Sequence, residues 1–331
     1  MHIVILGAGG LGCVIGACLA ETGVGVSLIA RPQHVDAIRR DGLQIAGIRG
    51  DRNVPVHAVA DPREVEGPID YLILLTKTRD TTIALESAST LRERTAVALS
   101  LQNSVTKDDR LADWIGPDRV LGATTVEAGT IVGPGQVRHT ATAPTSFYFG
   151  ELDGRESTRA QVLAEVFTKA GMGAQSITDI RQAEWEKLLQ ISAVAGFSAS
   201  TLGFREGATF AHGIATRSGA EHYVTIATEL LAVYRAMGFE PRDFFAPFSQ
   251  FRALAGATFE EAVENAYALG TTMVANGVIG RPSLHEDIVR GRPTEVEDGI
   301  GTYLRAADAH HVDVPTARGA YRVIKTLEAL Q

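Results

Sequence analysis

Cysteine is scarce in this sequence, and dense clusters of metal-ligating side chains are missing. The 331 residues include two cysteines, Cys13 and Cys18, which lie near the start of a predicted helix and do not face each other well. We therefore expect no disulfide and a reducing compartment. His310 and His311 form the one histidine pair, and adjacent helical residues point apart. We predict no metal site, because zinc needs a denser set of cysteine and histidine ligands.

Long apolar runs and an excess of positive charge are missing as well. No stretch of about eighteen apolar residues, the length that spans a bilayer, occurs in the chain. The N-terminus lacks the basic segment of an export signal. We therefore expect a cytoplasmic protein that binds no membrane. The net charge of −8 argues against nucleic acid as a partner, because nucleic-acid-binding domains usually carry a basic face.

The first half of the chain alternates short apolar runs with helical patterns. The runs predict strands at residues 2–6, 25–30, 70–76, 96–102 and 119–126. Such runs, rich in leucine and β-branched residues, are typical of a parallel sheet that helices cover on both faces. The pattern predicts an α/β fold with an N-terminal Rossmann-type doubly wound sheet over residues 1–180. Turn-rich sequence at 131–150 predicts an antiparallel extension of that sheet.

From residue 181 onward the pattern is helical almost throughout. It predicts helices at residues 182–198, 214–237, 258–275, 294–310 and 316–330. We therefore expect an all-helical C-terminal domain over residues 181–331, joined without a long linker so that the two domains share a cleft. The second and third of these helices carry apolar faces, which suit packing within the domain or contact with another subunit. A homodimer is thus a further hypothesis.

A glycine-rich turn follows the first predicted strand. Gly7, Gly9 and Gly12 fit the pattern G-x-G-x-x-G, with a strand before it and a helix after it, as a dinucleotide site requires. The first glycine permits the tight turn, the second admits a pyrophosphate, and the third lets the helix pack close to the strand. A turn without a ligand would need only one glycine. We include Gly10 and Leu11 among the predicted cofactor contacts, at the helix N-terminus that attracts phosphates.

The end of the second predicted strand selects the cofactor. Arg31 lies 19 positions after Gly12, where NAD-binding sites carry an acidic residue for the ribose 2′-hydroxyl. A guanidinium suits a 2′-phosphate, so we predict NADP(H); the alternative is a solvated surface arginine. Lys77 and Asn103 follow the third and fourth predicted strands, at the ligand-facing edge of a parallel sheet. They predict a cation and an amide beside the nicotinamide and the substrate.

Together with several later segments, these motifs resemble the ketopantoate reductase (2-dehydropantoate 2-reductase) family. The similarity covers almost the whole chain and includes ILGAGGLG, AR at Arg31, TKT at Lys77, LQN at Asn103, GPGQVRH, EWEKLL around Lys187 and PSLHEDIVRGRPTEVEDGIG. The resemblance implies NADPH-dependent reduction of a 2-oxo acid to a 2-hydroxy acid, which for 2-dehydropantoate belongs to pantothenate biosynthesis.

The resemblance also implies roles for individual residues. Lys187 would donate the proton, and Glu295 would be a second key polar residue. Ser283 would contact the substrate, Asp287 would support that arrangement, and Asn103 would orient nicotinamide and substrate. The chemistry agrees, because hydride delivery to a ketone leaves negative charge on oxygen, which an ammonium can stabilise and protonate.

The residues alone leave alternatives open. Lys187 could be a surface lysine paired with Glu184 or Glu186. Glu295 could be a helix N-terminal residue that interacts with the helix dipole. Asp287 could form an ion pair with the arginine three positions later.

The sequence departs from the family pattern on the helix that carries the predicted proton donor. The family has asparagines four and eight positions after its lysine, where this chain has Ile191 and Ala195. Aliphatic side chains donate no hydrogen bonds, and such losses shift substrate discrimination by orders of magnitude. We therefore keep a ketone with a bulkier, more apolar tail as an alternative to 2-dehydropantoate, anchored by Arg205, or by Ser192 and Gln190. A further alternative is a non-catalytic NADP(H)-binding sensor, because fold does not fix function.

Overall fold

A computed structural model describes residues 1–278 and 280–331. The chain forms two compact units, Met1–Glu184 and Trp185–Gln331. The division between them falls inside one long helix, four residues after the predicted domain boundary.

The first unit carries the strands and a smaller set of helices. Its strands are β1 His2–Leu6, β2 Gly25–Ile29, β3 Leu43–Gly47, β4 Arg52–Val54, β5 His57–Val59, β6 Ile69–Leu74, β7 Thr95–Ser100, β8 Gly122–Thr125, β9 Ala128–Gly133, β10 Gln136–Ala141, β11 Phe147–Gly150 and β12 Ala174–Ser176. Its helices are α1 Gly10–Ala20, α2 Pro32–Asp41, α3 Thr81–Ser87, α4 Lys107–Ile115, α5 Thr158–Lys169 and the first turn of α6 Ile180–Leu202.

The centre of the first unit is a parallel sheet with strand order β5-β2-β1-β6-β7. Along β1, Ile3 and Ile5 point into one hydrophobic core, whereas Val4 and Leu6 point into another. Because successive strand residues face opposite sides of a sheet, both faces of the sheet are covered. This explains why the apolar runs lack polar alternation, and it confirms the Rossmann-type doubly wound fold.

Two sequence predictions about this unit are corrected by the strand pairing. The predicted strand at 119–126 does not complete the parallel sheet, because β8 lies antiparallel to β11 in a three-stranded sheet of order β12-β11-β8. Val120, two residues before β8, forms an isolated parallel bridge with Ala98 of β7. The fifth parallel strand is β5, which is too short for a periodic signal. The region at 131–150 also contributes β9 and β10 to a separate sheet of order β4-β3-β10-β9.

The second unit is helical, as predicted. After α6 its helices are α7 Phe210–Ile214, α8 Arg217–Ala236, α9 Phe251–Gly256, α10 Phe259–Ala275, α11 Ser283–Val289, α12 Ile300–Ala309 and α13 Pro315–Ala329. No helix among residues 1–278 and 280–331 is long and apolar enough to cross a membrane.

Two helix boundaries differ from the sequence prediction for local reasons. The helix predicted at 214–237 begins later, because the hydroxyl of Thr216 accepts the N–H of Gly219 and caps α8. The helix predicted at 294–310 begins only at Ile300. Before it, the N–H and the hydroxyl of Thr294 both donate to the Glu328 carboxylate on α13, which draws residues 294–299 into a turn.

Candidate active site

The residues predicted to hold the cofactor follow the carboxyl ends of four neighbouring parallel strands. The glycine turn follows β1, Arg31 follows β2, Lys77 follows β6, and Asn103 follows β7. These strands are adjacent in the order β2-β1-β6-β7, so the structure brings the residues to one edge of the sheet. The strand order reverses direction between β1 and β6, which is where doubly wound sheets bind nucleotides. All three side chains are exposed.

Two glycines of the turn, Gly7 and Gly12, are required by backbone conformation and close packing within the protein. Gly7 has a φ of +101°, and a Cβ there would lie 2.6 Å from the backbone nitrogen of Thr76. A Cβ on Gly12 would lie 2.9 Å from the carbonyl oxygen of Gly7 and 3.1 Å from the Ile5 side chain. The first glycine therefore permits the turn, and the third permits close packing of α1 on β1.

Gly9 is different, because no packing contact with residues 1–278 or 280–331 requires a glycine there. A Cβ at this position would meet none of their atoms within 4 Å, and its backbone is extended, with a φ of −79°. Gly9 is also the N-cap of α1 and offers no side chain to the first N–H groups of the helix. An open, uncapped helix N-terminus at a sheet edge fits the pyrophosphate of a dinucleotide.

Gly10 has a packing role that the sequence analysis did not predict. A Cβ on Gly10 would overlap the carbonyl group of Gly129 in β9, and a Cβ on Gly129 would lie 2.6 Å from the carbonyl oxygen of Gly10. The two glycines let β9 cross the first turn of α1. Gly129 was missed because this contact joins residues far apart in the sequence.

Gln102 joins the two loops that carry Lys77 and Asn103. Its Nε2 donates to the carbonyl oxygen of Thr76 at 2.8 Å and to the hydroxyl of Thr81 at 2.8 Å. Gln102 was not predicted as a site residue, although it lies inside the LQN segment. Its hydrogen bonds fix the backbone from which both predicted ligand-facing side chains project.

A buried ionic cluster lies immediately after the Asn103 loop. Lys107, with 1% of its side chain exposed, places Nζ 3.0 Å from both carboxylate oxygens of Asp108 and 2.5 Å from Oε1 of Glu184. Arg181 donates to Asp108 at 3.3 Å. Burial, with the nearby Asp108 charge, raises the pKa of Glu184, and the Lys107 ammonium opposes that shift. The cluster ties α4 to the first turn of α6, so Glu184 is not a surface partner of the predicted proton donor.

The second unit carries the predicted proton donor on α6. The side chain of Lys187 is partly exposed, and its Nζ lies over the ring of Phe245, 5.9 Å from the centroid. Desolvation lowers the pKa of the Lys187 ammonium to about 8. An ammonium with this pKa is suited to donate a proton near neutral pH. Glu186, the other proposed surface partner, is fully buried and binds backbone N–H groups elsewhere in the unit.

Glu295 lies in the turn before α12 rather than in a helix. The N–H groups of Asp298 and Gly299 both donate to its carbonyl oxygen, at 3.2 Å and 3.1 Å. A Cβ on Gly299 would lie 3.9 Å from the Ser192 hydroxyl on α6. The turn that carries Glu295 therefore packs on the helix that carries Lys187, and the interpretation of Glu295 as a helix N-terminal residue is wrong.

Ser283 and Asp287 share α11. Ser283 is its exposed first residue, whereas Asp287 is buried. The Asp287 carboxylate lies 2.9 Å from the guanidinium of Arg292. The predicted alternative, an ion pair with Arg290, named the wrong arginine, because the loop after α11 folds back to bring Arg292 to the carboxylate.

The residues that replace the family asparagines lie on α6 and are apolar. Ile191 is half-buried, and Ala195 is buried. Arg205, offered as a substitute anchor, lies exposed in the loop after α6 and makes no side-chain hydrogen bond or ion pair with residues 1–278 or 280–331. The described contacts do not bring Arg205 to Lys187.

Two polar residues of α6, Gln190 and Ser192, flank Ile191. Gln190 donates from Nε2 to the carbonyl oxygen of Phe248 at 3.0 Å. The buried hydroxyl of Ser192 has no hydrogen-bond partner among the described parts of the chain. No group of three or more His, Cys, Asp or Glu side chains within residues 1–278 and 280–331 is arranged to hold a metal ion.

Comparisons with known proteins gave the same family for both units. The family model described as "Ketopantoate reductase PanE/ApbA" matches residues 3–154, and "Ketopantoate reductase PanE/ApbA C terminal" matches residues 179–328. A 2-dehydropantoate 2-reductase of Mesorhizobium japonicum is 29% identical over 353 aligned positions, covering 99% of this chain and 98% of that protein.

Solved structures show the same architecture. A PanE/ApbA family ketopantoate reductase of Ralstonia eutropha JMP134 superposes with a TM-score of 0.78 at 27% identity, covering 100% of this chain and 99% of that one. A D-mandelate dehydrogenase in complex with NADH and anilino(oxo)acetate shares the fold, with a TM-score of 0.78 at 20% identity and coverage of 100% and 99%.

Proposed function

The chain belongs to the ketopantoate reductase family of oxidoreductases, as its motifs predicted, and from that premise we propose that it reduces a 2-oxo acid to the 2-hydroxy acid with NADPH. The observation that carries the proposal is Lys187, whose Nζ lies over the ring of Phe245 and whose ammonium pKa desolvation lowers to about 8. A lysine with this pKa suits a general acid.

We assign hydride transfer to the bound cofactor and proton transfer to Lys187. When bound, the nicotinamide would supply a hydride to the carbonyl carbon of the substrate. The ammonium of Lys187 would stabilise the negative charge that develops on the carbonyl oxygen and transfer its proton there. The neutral amine that remains would regain a proton from solvent. Glu295 would hold the lysine and substrate polar groups in place, while Ser283 would contact the substrate and Asp287 would support it.

NADP(H) is proposed over NAD(H) on the strength of Arg31. An exposed guanidinium at the end of β2 suits the 2′-phosphate, and the open N-terminus of α1 at Gly9 and Leu11 suits the pyrophosphate. Lys77 and Asn103 would flank the nicotinamide, with Asn103 shared with the substrate.

The substrate itself is either 2-dehydropantoate or a 2-oxo acid with a more apolar tail. Ile191 and Ala195 favour the second, because neither can donate the hydrogen bonds that the family asparagines provide. Arg205, or alternatively Ser192 and Gln190, would anchor such a substrate. Turnover of 2-dehydropantoate would place the protein in pantothenate biosynthesis.

We also propose a homodimer in the cytoplasm. Exposed apolar side chains on α10, among them Phe259 at 52%, Tyr267 at 39% and Leu269 at 44%, suit a subunit contact. Cys13 and Cys18 are free thiols, which suits a reducing compartment. Light scattering coupled to size exclusion would give the mass of the particle directly.

The deciding experiment measures NADPH consumption against a panel of 2-oxo acids that includes 2-dehydropantoate, 2-oxoisovalerate and phenylglyoxylate. Lys187→Met is expected to lower kcat by about 10²–10⁴ on the best substrate, whereas Lys169→Met, which changes an exposed helical lysine, leaves it unchanged. Tight NADPH binding without turnover of any acid would favour the sensor instead.

The cofactor is tested with a second variant. Arg31→Ala should raise the KM for NADPH by about 10- to 100-fold, the loss of one charge-assisted hydrogen bond, and leave the KM for NADH unchanged. The matched control is Arg40→Ala, an exposed arginine of α2 that pairs with Asp41. Equal effects on both cofactors would contradict the assignment of Arg31 to the 2′-phosphate.

A further inference from the structure

We propose that Glu186 is a positioning residue of the active site, which holds the loop 242–249 against α6 so that Phe245 supports the ammonium of Lys187. The inference rests on the proposed function, because it takes Lys187 as the proton donor. Glu186 precedes that lysine in the chain, and the sequence analysis considered it only as a surface ion-pair partner.

The carboxylate of Glu186 is fully buried and accepts hydrogen bonds at both oxygens. Oε2 accepts the N–H of Arg242 at 2.8 Å and, more weakly, the hydroxyl of Tyr234 at 3.4 Å. Oε1 accepts the N–H of Phe244 at 3.0 Å and the hydroxyl of Ser249 at 3.1 Å. Four donors therefore converge on a single side chain of α6.

These bonds hold a segment that has no helix or strand of its own. Residues 239–250 run between α8 and α9 without regular structure, so those of their N–H groups that no backbone carbonyl accepts depend on side chains for partners. Glu186 supplies partners to two of them, and Gln190, one turn later on α6, donates to the carbonyl oxygen of Phe248 at 3.0 Å. The loop is thus attached to α6 on both sides of Lys187 in the sequence.

Phe245 occupies the centre of this attached loop. Its side chain is fully buried, and its carbonyl oxygen accepts the N–H groups of Phe248 and Ser249 at 2.8 Å and 3.2 Å. Its ring lies under the Lys187 ammonium at 5.9 Å, within the range of a cation–π contact. Consecutive helical residues point about 100° apart, so Glu186 anchors the loop on one side of α6 while the loop reaches around to Lys187.

The expected consequence is a loss of rate rather than a loss of binding. A proton donor must lie within hydrogen-bond reach of the carbonyl oxygen, and a displacement of about 1 Å can cost about 100-fold in rate. If the loop detaches, the ring no longer supports the ammonium, and its position becomes variable. Cofactor affinity should not change, because the glycine turn belongs to the first unit.

Glu186→Gln tests this, with Glu229→Gln as the matched control. The amide keeps the shape of Glu186 but turns a donor toward one of the backbone N–H groups. Glu229 is a similar anchor in the same unit, accepting the N–H groups of Thr316 and Ala317 at 3.0 Å and 2.8 Å. Both variants should lower Tm. Only Glu186→Gln should lower kcat, by about 10- to 100-fold, with the KM for NADPH unchanged. An equal kcat in both variants would overturn the proposal.

A readout without turnover separates this inference from the proposed function. Hydrogen exchange at the amides of Arg242 and Phe244 should speed up in Glu186→Gln and not in Glu229→Gln. The rate at which an amine-reactive reagent acylates Lys187 should also change in Glu186→Gln and in Phe245→Leu. If the wild type reduces no 2-oxo acid, the proposed function fails, yet these two measurements still decide whether Glu186 positions Lys187. An unchanged acylation rate would refute it.

Discussion

At the scale of single residues, Lys187 gives the sharpest expectation, because its surroundings determine the pH at which it can act. Burial lowers the pKa of the ammonium to about 8, and ketone reduction requires the protonated form. The rate of reduction should therefore be constant below about pH 8 and fall above it. Oxidation of the 2-hydroxy acid requires the neutral amine and should rise over the same range. Steady-state kcat measured in both directions from pH 6 to about pH 10 tests the pair of profiles.

Lys187→Arg is the matching variant for that experiment. A guanidinium remains protonated throughout this range, so the residual reduction should lose its decline above pH 8. A decline that persisted in Lys187→Arg would assign the titration to another group.

Substitution by alanine should have different effects at Gly9 and at Gly10: the first should lower the affinity for NADPH, and the second should lower Tm. A methyl group on Gly9 enters open space, so Gly9→Ala should keep its Tm and lose affinity for NADPH. A methyl group on Gly10 meets the backbone of Gly129, so Gly10→Ala should lower Tm. Thermal unfolding and fluorescence titration with NADPH measure the two effects. A lower Tm for Gly9→Ala with unchanged affinity would remove the pyrophosphate from this position.

At the scale of helices and strands, the sequence was informative where the signal is local. The apolar runs of β1, β2, β6 and β7 are continuous and almost fully buried, and all four strands were predicted within two residues of their ends. The strands β3, β4 and β5 were not predicted, because they are only partly buried and lack a continuous apolar run. Pairing partners were also invisible, which is why β8 was assigned to the wrong sheet.

The same distinction applies to the candidate site. The glycine turn and Lys187 could be predicted, since each lies in a contiguous motif. Glu186, Gln102 and Gly129 could not, because each acts through residues distant in the sequence: a loop some 56 positions later, a neighbouring strand end, and the first turn of α1. A buried carboxylate on a helix and an exposed one look alike until the fold is known.

The buried cluster between α4 and α6 should dominate the stability of that contact. Lys107→Met removes the buried cation between the Asp108 and Glu184 carboxylates and leaves them only the partly exposed Arg181, and breaking such a buried pair costs about 3–5 kcal/mol. Denaturant unfolding should show a correspondingly lower free energy of unfolding. The control is Arg217→Ala, which breaks an exposed network with Glu260 and Glu264 on α10 and should cost far less. An equal loss of free energy of unfolding in the two variants would mean that burial does not strengthen the ion pairs of Lys107.

At the scale of the whole molecule, the proposed chemistry uses residues of two units that are continuous through α6. The sheet edge proposed to bind the nucleotide belongs to the first unit, whereas Lys187, Phe245 and Glu295 belong to the second. Glu184 and Lys187 lie one turn apart on the same helix, one in the buried cluster of the first unit and the other beside the loop of the second. Any ligand that engages both sets of residues must therefore restrain both units.

Ligand-dependent hydrogen exchange tests that requirement. NADPH alone should slow exchange mainly in the first unit, at the glycine turn and in the loops after β6 and β7. Adding a non-reacting 2-oxo acid analogue to the NADP⁺ complex should extend protection to α6 near Lys187 and to residues 242–249, because a bound ketone would contact the ammonium. A ligand at about 100 times its Kd stabilises the bound state by about 2.7 kcal/mol, which is enough to slow hydrogen exchange measurably. Protection confined to the first unit with both ligands present would show that the substrate binds without Lys187, and the assignment of the proton donor would have to be abandoned.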